Sequence, residues 1–345
     1  IQTAIDGVTF YANTDYVCTF TLKADKPKEF TVDNRTNDGK IFVESEGKGW
    51  QKAEDGTYFY KYKGTFASTA KQDLNVRIAL GYHNGKDKKT DSKYSADEVA
   101  TFKMSNFQIV KASEYKAVTY TVSIDGTEET YEEGDSISVP ADGQGYYDVT
   151  KKVAYAPGSV LTVNENMTLK SIELNVAMES GAGIKLTTPT GLRFKTNVTG
   201  TTDILSQSDI IKTGTIITAS DILDGGTVDD NFVKSNKLKL NIENNGWYGN
   251  TVGTFCASIV ELQEANYARD FVGVGYVTIK YNNNAEKTIY APSGTVRAVA
   301  TVAQNIKNSK AIYQNGMTYY NYLKSLNKGY DTIIETYAAA TKNNQ

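Results

Sequence analysis

The stretch GWQKAEDGTYFYKYKGTF, residues Gly49–Phe66, holds one of the two tryptophans of the chain and a dense run of aromatic residues. Side chains of a β-strand alternate between its two faces, so Tyr58, Tyr60 and Tyr62 share one face. Tyrosine keeps a polar tip, whereas a strand that only served a core would use Val, Ile or Leu. The stretch therefore predicts a β-hairpin whose rings form either a stacking platform or a half-exposed sheet face without a ligand.

Composition predicts a β-rich chain with more than one domain. The length of 345 residues suits two or three domains, and 24 Tyr and 28 Gly against 5 Pro are typical of strands joined by turns. The net charge is −3 and the sequence has no basic stripe, which argues against nucleic acid as a partner. Apolar runs are too short for a membrane span, so we expect no membrane insertion. We also expect a monomer. Because the sequence starts at Ile1 without Met, we expect a fragment or a mature product.

Residues 1–112 consist of short apolar strands separated by turn signals, which predicts an antiparallel β-sandwich. In the segment YVCTFTLKA, for example, Cys18, Phe20 and Leu22 recur at every second position, as they do in a half-buried strand.

Two segments of this region, Tyr16–Ala24 and Phe102–Val110, follow the patterns YxxxFxxKA and FxxSNFQIV. In these segments the first third of the chain resembles carbohydrate-binding modules with a jelly-roll sandwich. The resemblance implies that aromatic side chains on a sheet face or at loop ends bind sugars. The candidate residues in this region are Trp50, Tyr58, Tyr60, Tyr62 and Tyr82.

Residues 113–176 predict a small β-domain. The dipeptide Asp125-Gly126 between two strand-like runs is a strong hairpin signal. The order of strands and turns resembles the small β-grasp-like repeats of bacterial surface proteins, although Gly145-Tyr146-Tyr147 stands where those repeats carry Gly-Trp. The resemblance implies a spacer.

Residues 177–345 predict an α+β domain with two late helices. The first helix is expected to be capped by Thr295, and the second is expected over 318–340 with a break at Lys328-Gly329. The motifs around Arg193, Arg269 and Arg297 resemble an uncharacterised domain at the C-terminal side of exported multidomain proteins of gut Firmicutes. The resemblance implies no activity. The three arginines predict either one anion-binding cluster or separate structural contacts.

A second candidate site is the loop ENNGWYGN, in which Trp247 and Tyr248 lie between glycines. Adjacent aromatics among Asn and Gly suit stacking on a sugar ring with hydrogen bonds from the amides. The loop is equally compatible with Trp247 folding back to fill a neighbouring sheet.

The inventory of reactive residues argues against an enzyme. His83 is the only histidine, so a catalytic triad would depend entirely on this residue. A metal site built from several histidines is excluded by the same count. Gly273 and Gly275 lack the third glycine of a nucleotide-binding loop. The acidic run Glu132, Glu133 and Asp135 could supply a glycosidase pair, but it is better explained as a polar turn.

We expect no cofactor, although two oxygen-rich segments, Asp33–Gly39 and Thr227–Asn231, leave calcium open. Cys18 and Cys256 lie in different predicted domains and in strand-like runs, so we expect buried free thiols, with a disulfide between them as the alternative.

These observations predict a protein that binds polysaccharide without catalysis, and the resemblances imply that it is exported or held at the cell surface. The resemblances imply a gut bacterium, and starch-type α-glucan is the first candidate ligand because Tyr- and Trp-lined sites suit a curved glucan. The alternative is an adhesin or scaffold fragment whose partner is a protein and whose sandwich serves as a stalk.

Overall fold

The structure is a computed structural model that describes residues 2–27, 30–34, 41–45, 50–52, 56–68, 72–80 and 101–340. The fold is mainly β and multidomain, as predicted. Unit 1 comprises Ile1–Val122, Glu128–Ser138 and Val160–Met167, and unit 2 comprises Ser123–Thr127, Val139–Ser159 and Thr168–Gln345. The predicted spacer, 113–176, is divided between the two units, and the three-domain division stays a prediction.

Unit 1 begins with a two-sheet antiparallel sandwich. One sheet has the strand order β1-β7-β3-β4 and the other has the order β5-β6-β2-β8. The strands are β1 (Gln2–Phe10), β2 (Thr14–Ala24), β3 (Phe30–Asn34), β4 (Ile41–Ser45), β5 (Gln51–Lys52), β6 (Tyr58–Ser68), β7 (Gln72–Leu80) and β8 (Phe102–Lys111).

The core of the sandwich lies between these sheets. Phe30 and Ile78 come from one sheet, and Phe20, Leu22 and Tyr62 come from the other, in a single buried cluster. The alternation predicted for β2 is confirmed from Cys18 onward, because Cys18, Phe20 and Leu22 are buried while the residues between them are partly exposed. Apolar surface removed from water on both inner faces holds the two sheets together.

The middle of the chain supplies short strands to both units. They are β9 (Thr119–Ile124), β10 (Thr127–Glu132), β11 (Ser136–Ser138), β12 (Tyr146–Asp148), β13 (Val153–Tyr155), β14 (Val160–Thr162) and β15 (Met167–Ser171). In unit 1, β11 pairs with β14, and in unit 2, β12 pairs with β13 and β15. Asp125 and Gly126 join β9 to β10 with φ of 49° and 85°, the positive values of a tight hairpin turn, as predicted.

Most of unit 2 is built from two further sheets. In the first, β18 pairs with β16, β17 and β21, and the second has the order β20-β19-β22-β23 with β24 beside β22. The strands are β16 (Leu174–Met178), β17 (Gly183–Lys185), β18 (Gly191–Gly200), β19 (Ile211–Ala219), β20 (Leu240–Asn244), β21 (Thr254–Val260), β22 (Phe271–Lys280), β23 (Glu286–Tyr290) and β24 (Thr295–Arg297). Three short helices, α1 (Thr202–Leu205), α2 (Ser220–Leu223) and α3 (Asp230–Lys234), are not foreseen by the sequence analysis.

The glycines of β22 let these sheets approach closely. A Cβ on Gly273 would lie 2.4 Å from the ring of Phe194, and one on Gly275 would lie 2.2 Å from the hydroxyl of Thr196. Because Phe194 and Thr196 belong to β18, the missing side chains make room for a facing strand. The two glycines therefore have a packing role.

The late helices correct one prediction and confirm another. They are α4 (Val299–Asn308), α5 (Tyr319–Ser325) and α6 (Tyr330–Ala339), with the small hairpin β25 (Ile312–Gln314) and β26 (Met317–Thr318) between α4 and α5. Thr295 does not cap a helix. It lies in β24, where it pairs with Gly273, and Ala298 precedes α4. The predicted break is confirmed, because Gly329 has φ 71° immediately before α6.

Candidate functional site

The outer face of the second sandwich sheet forms the floor of a cleft. In β6, Phe59, Lys61 and Lys63 alternate with the core-facing tyrosines and so point away from the core. Strand pairing places Gln51 of β5 opposite Phe59 and Thr19 of β2 opposite Lys63. These side chains line a cleft of ≈ 240 Å³.

The walls of the cleft come from the segment after β8 and from the stretch that runs from the end of β10 to the start of β11. They consist of Tyr115, Glu132, Gly134, Asp135 and Ser136. All these residues belong to unit 1, as does the floor. The cleft is thus assembled from strands that are distant in sequence.

Polar contacts tie the walls to the floor. Lys63 Nζ lies 3.0 Å from Glu132 Oε1 and 4.9 Å from the centre of the Tyr115 ring. Lys61 Nζ lies 4.0 Å from Asp135 Oδ1, and the Ser136 hydroxyl donates a hydrogen bond to Gln51. The cleft therefore brings an aromatic ring, a cation and a carboxylate within reach of one another.

The hydrogen bond with Glu132 raises the pKa of Lys63, so the lysine stays charged at neutral pH. Both side chains are partly exposed, and an exposed ion pair of this kind adds only about 0–1 kcal/mol to stability. A ligand hydroxyl that replaces part of this pair would therefore meet little resistance. The charged groups orient one another and remain available as hydrogen-bond donors and acceptors.

The structure corrects the predicted tyrosine platform. Tyr62 is 2% exposed and stacks on Phe20 with ring centroids 4.7 Å apart, so a sugar ring cannot reach its face. Tyr60 is partly buried against Phe30 at 4.7 Å, and Trp50 is partly buried against Tyr60 at 5.7 Å. The predicted row thus faces the core, because the other sheet covers that side.

The remaining candidates of the sandwich are less constrained. Tyr58 is half-buried at the start of β6, and its role in binding stays a prediction. Tyr82 and the only histidine, His83, lie outside the described residues.

In unit 2 the adjacent aromatics of the second candidate loop point to different places. Trp247 is partly buried against the core, with its ring centroid 6.4 Å from that of Phe255. Tyr248 is 48% exposed, and Arg193 Nη1 donates a hydrogen bond to its hydroxyl at 3.3 Å. Of the two explanations left open for Trp247, the structure supports packing against a neighbouring sheet.

The three motif arginines make separate contacts. Arg269 donates to both carboxylate oxygens of Asp221 at 3.0 and 2.7 Å, and this pairing lowers the pKa of Asp221. Arg297 donates to the carbonyl of Val296 at 2.7 Å, while Arg193 contacts Tyr248. They do not form one anion-binding cluster.

The acidic segments offered for calcium are not gathered into a metal site in the described part of the chain. Asp229 accepts a hydrogen bond from the backbone N–H of Phe232 and caps α3, and Asp230 accepts one from the Tyr290 hydroxyl. Residues 35–39 of the other segment lie outside the described residues. Among the described residues, no group of three or more His, Cys, Asp or Glu side chains could hold a metal ion.

Cys18 and Cys256 are free cysteines. Cys18 is buried, and burial raises the pKa of its thiol to about 12, whereas Cys256 is only half-buried.

Several residues of the cleft had no usable signal in the sequence. The outward direction of Phe59 and Lys61 follows from the alternation of β6. However, Tyr115 and Glu132 reach Lys63 only through the tertiary fold. The acidic run around Glu132 contains the polar turn that the sequence predicts, and it also forms a wall of the cleft.

Comparisons with known proteins add little to this description. No protein-family model matches the chain, and no curated protein matches it. A search of solved structures returns the β-glucuronidase of Ruminococcus gnavus, with 8% identity and a TM-score of 0.17 over 82% of this chain and 34% of that chain. The same enzyme in complex with uronic isofagomine gives 8% identity and a TM-score of 0.17, over 96% of this chain and 51% of that one. The chain thus spans between a third and about half of these proteins, and so low a similarity indicates neither fold nor activity.

None of the helices in the described ranges combines the length and the apolar character needed to cross a bilayer.

Proposed function

We propose that unit 1 binds a polysaccharide in the cleft of Phe59 and Tyr115 and does not catalyse its cleavage. The observation that carries the proposal is the meeting of two aromatic rings with amide, hydroxyl, ammonium and carboxylate groups in one concavity. Sugar rings present apolar C–H faces and a rim of hydroxyls, which match these two kinds of group. Because the floor is a paired β-sheet, the groups are held in place before the ligand arrives.

The size of the cleft favours a short stretch of a polymer over an enclosed small molecule. A volume of ≈ 240 Å³ lies below the range of about 300–1,000 Å³ of most small-molecule pockets. The floor continues along the sheet, where Thr21 of β2 pairs with Ser105 of β8. Further sugar units could extend over this polar face.

The placement of the carboxylates supports binding over hydrolysis. A glycosidase uses two carboxyl groups that flank the scissile bond. In this cleft Glu132 and Asp135 belong to the same wall, since the backbone N–H of Glu132 donates to Asp135 Oδ2 at 2.8 Å. Each carboxylate also faces a lysine of the floor. We therefore assign them to orientation and hydrogen bonding.

Starch-type α-glucan is the first ligand to test, and the proposal places the protein outside the cell, where such polymers are met. Retention on insoluble starch and titration calorimetry with maltooligosaccharides measure the binding. Phe59→Ala and Tyr115→Ala should each weaken binding by about 0.5–1.5 kcal/mol, or roughly two- to tenfold, because a stacking surface is lost.

Tyr11→Ala is the matched control, because Tyr11 is an exposed tyrosine of unit 1 outside the cleft. It should leave binding unchanged. Unchanged affinity in both cleft variants would refute the site. Absence of wild-type retention on starch, cellulose and xylan would refute the function and favour the protein-binding adhesin. Release of soluble sugar from starch would refute the non-catalytic part.

A further inference from the structure

Unit 2 carries a second chemically distinct surface around Arg193. In β18 the neighbours Leu192 and Phe194 are buried, so Arg193 and Lys195 project to the opposite face of the sheet. The guanidinium carbon of Arg193 lies 5.7 Å from the ring centre of Tyr248, and Nη1 donates to the Tyr248 hydroxyl. A cation and an exposed aromatic ring thus share one open sheet face.

Within the described part of the chain, the charge of Arg193 is not balanced by an acid. Lys195, two positions along the same strand, pairs with Glu179 at 2.6 Å. In contrast, no carboxylate of the described ranges lies within ion-pair distance of Arg193. A guanidinium without a carboxylate partner keeps several N–H donors in a planar fork. Such a fork matches a carboxylate through two parallel hydrogen bonds.

A cluster of tyrosines lies within electrostatic range of the arginine through Tyr319. Tyr319, at the start of α5, has a pKa raised mainly by burial, and the positive charge of Arg193 opposes that rise, so the two side chains interact electrostatically. Tyr313 is 59% exposed and packs against Tyr319 and Tyr322 with ring centroids 4.9 and 5.3 Å apart. We call Arg193 and these tyrosines, Tyr248, Tyr313, Tyr319 and Tyr322, the arginine–tyrosine surface.

We propose that the arginine–tyrosine surface is a second binding site and that its ligand is a carboxylate-bearing sugar. The guanidinium fork takes the carboxylate, and the tyrosine rings take the apolar face of the pyranose while their hydroxyls bond its hydroxyls. Neutral α-glucan has no carboxylate that could pair with Arg193. The site is therefore independent of the cleft in unit 1.

Calorimetric titration of the full chain with oligogalacturonate tests the proposal, and its methyl ester is the matched ligand without charge. The wild type should bind the acid, and the methyl ester should bind at least about tenfold more weakly, because hydrogen bonds to a charged group are lost. Arg193→Gln should weaken oligogalacturonate binding by a similar factor. Arg193→Lys should weaken it less, because it keeps the charge and loses only the fork.

Two controls separate this site from general charge effects and from the cleft. Lys195→Gln removes a neighbouring cation that already has a partner, and it should change the affinity by less than about twofold. Phe59→Ala in unit 1 should leave oligogalacturonate binding unchanged, while Arg193→Gln should leave starch retention unchanged. Loss of oligogalacturonate binding with intact starch retention in Arg193→Gln would support both sites separately.

The proposal is overturned if the wild type does not bind oligogalacturonate or if Arg193→Gln binds it like the wild type. If the wild type binds the methyl ester as tightly as it binds oligogalacturonate, the role of the carboxylate is overturned. Equal affinity for inorganic sulfate would overturn the assignment to a sugar.

Discussion

Replacing Gly273 of β22 by alanine tests how closely the two sheets of unit 2 pack. The added Cβ would lie 2.4, 2.6 and 2.9 Å from three ring carbons of Phe194. Ordinary contacts between carbon atoms are about 3.5–4.0 Å, so the methyl group would approach the ring about 1 Å too closely. Phe194 is 0% exposed, and its ring cannot turn into solvent to relieve the overlap.

The magnitude follows from two opposing effects. Overpacking a tight core costs about 1–3 kcal/mol. Replacing glycine also restricts the unfolded chain, which offsets about 0.4–1 kcal/mol. We expect Gly273→Ala to lower the free energy of unfolding by about 1–2 kcal/mol. For a unit of 150–250 residues this corresponds to a fall in Tm of about 2–8 °C.

Calorimetry and urea denaturation measure the effect, with tryptophan fluorescence as a second readout. Trp247 packs against the core of unit 2, so a Trp50→Phe background leaves a single reporter for this unit. Gly183→Ala is the matched control, because a Cβ on this strand glycine would meet no atom within 4 Å. We expect it to be neutral or to raise the stability slightly.

A double variant localises the strain. Phe194→Leu shortens the side chain that the new methyl group meets, so it should cost less in the Gly273→Ala background than in the wild type. Equal stability of Gly273→Ala and Gly183→Ala would refute the packing argument. Additive costs of Gly273→Ala and Phe194→Leu would show that the two positions do not clash.

Three further predictions concern single residues. Phe20→Ala should cost about 3–5 kcal/mol of sandwich stability in urea denaturation, because Phe20 is fully buried against Tyr62; a cost below 1 kcal/mol would contradict this packing. Asp229→Ala should cost about 0.5–2 kcal/mol by removing the acceptor for the N–H of Phe232, and Asp229→Asn should restore most of it. The pKa of the Cys18 thiol rises from 9.0 to about 12 on folding, so the thiol of the unfolded chain loses its proton at a lower pH than that of the folded chain. The free energy of unfolding should therefore fall by about 1.4 kcal/mol per pH unit above pH 9. Urea midpoints measured at pH 8 and pH 10.5 should show a shallower decline in Cys18→Ala, and an unchanged slope would contradict the assignment.

The sequence by itself determined the local features of this protein. The alternation of β2, the Asp125-Gly126 turn and the break before Gly329 all depend on backbone geometry within a few residues. Their signals are therefore present in short windows of sequence. The mainly β, multidomain class follows from the repetition of such windows.

At Thr295 the local sequence favours a helix cap and a distant strand favours β-pairing, and the pairing determines the structure. Thr295 followed by an apolar run indicated a helix cap, yet pairing with Gly273 extends it into β24. The helix begins only after that strand ends, at Val299. Intrinsic cap preference is worth about 1 kcal/mol, and strand pairing with burial can exceed it.

Only the tertiary structure decided which face of the aromatic hairpin is available to a ligand. Alternation groups Tyr58, Tyr60 and Tyr62 on one side, but it does not say which side the sheet β1-β7-β3-β4 covers. The sheet β1-β7-β3-β4 covers Tyr60 and Tyr62, so the outward face with Phe59 becomes the floor of the cleft. Its walls, and likewise the tyrosines around Arg193, come from segments far apart in the chain, which no short window of sequence can bring together.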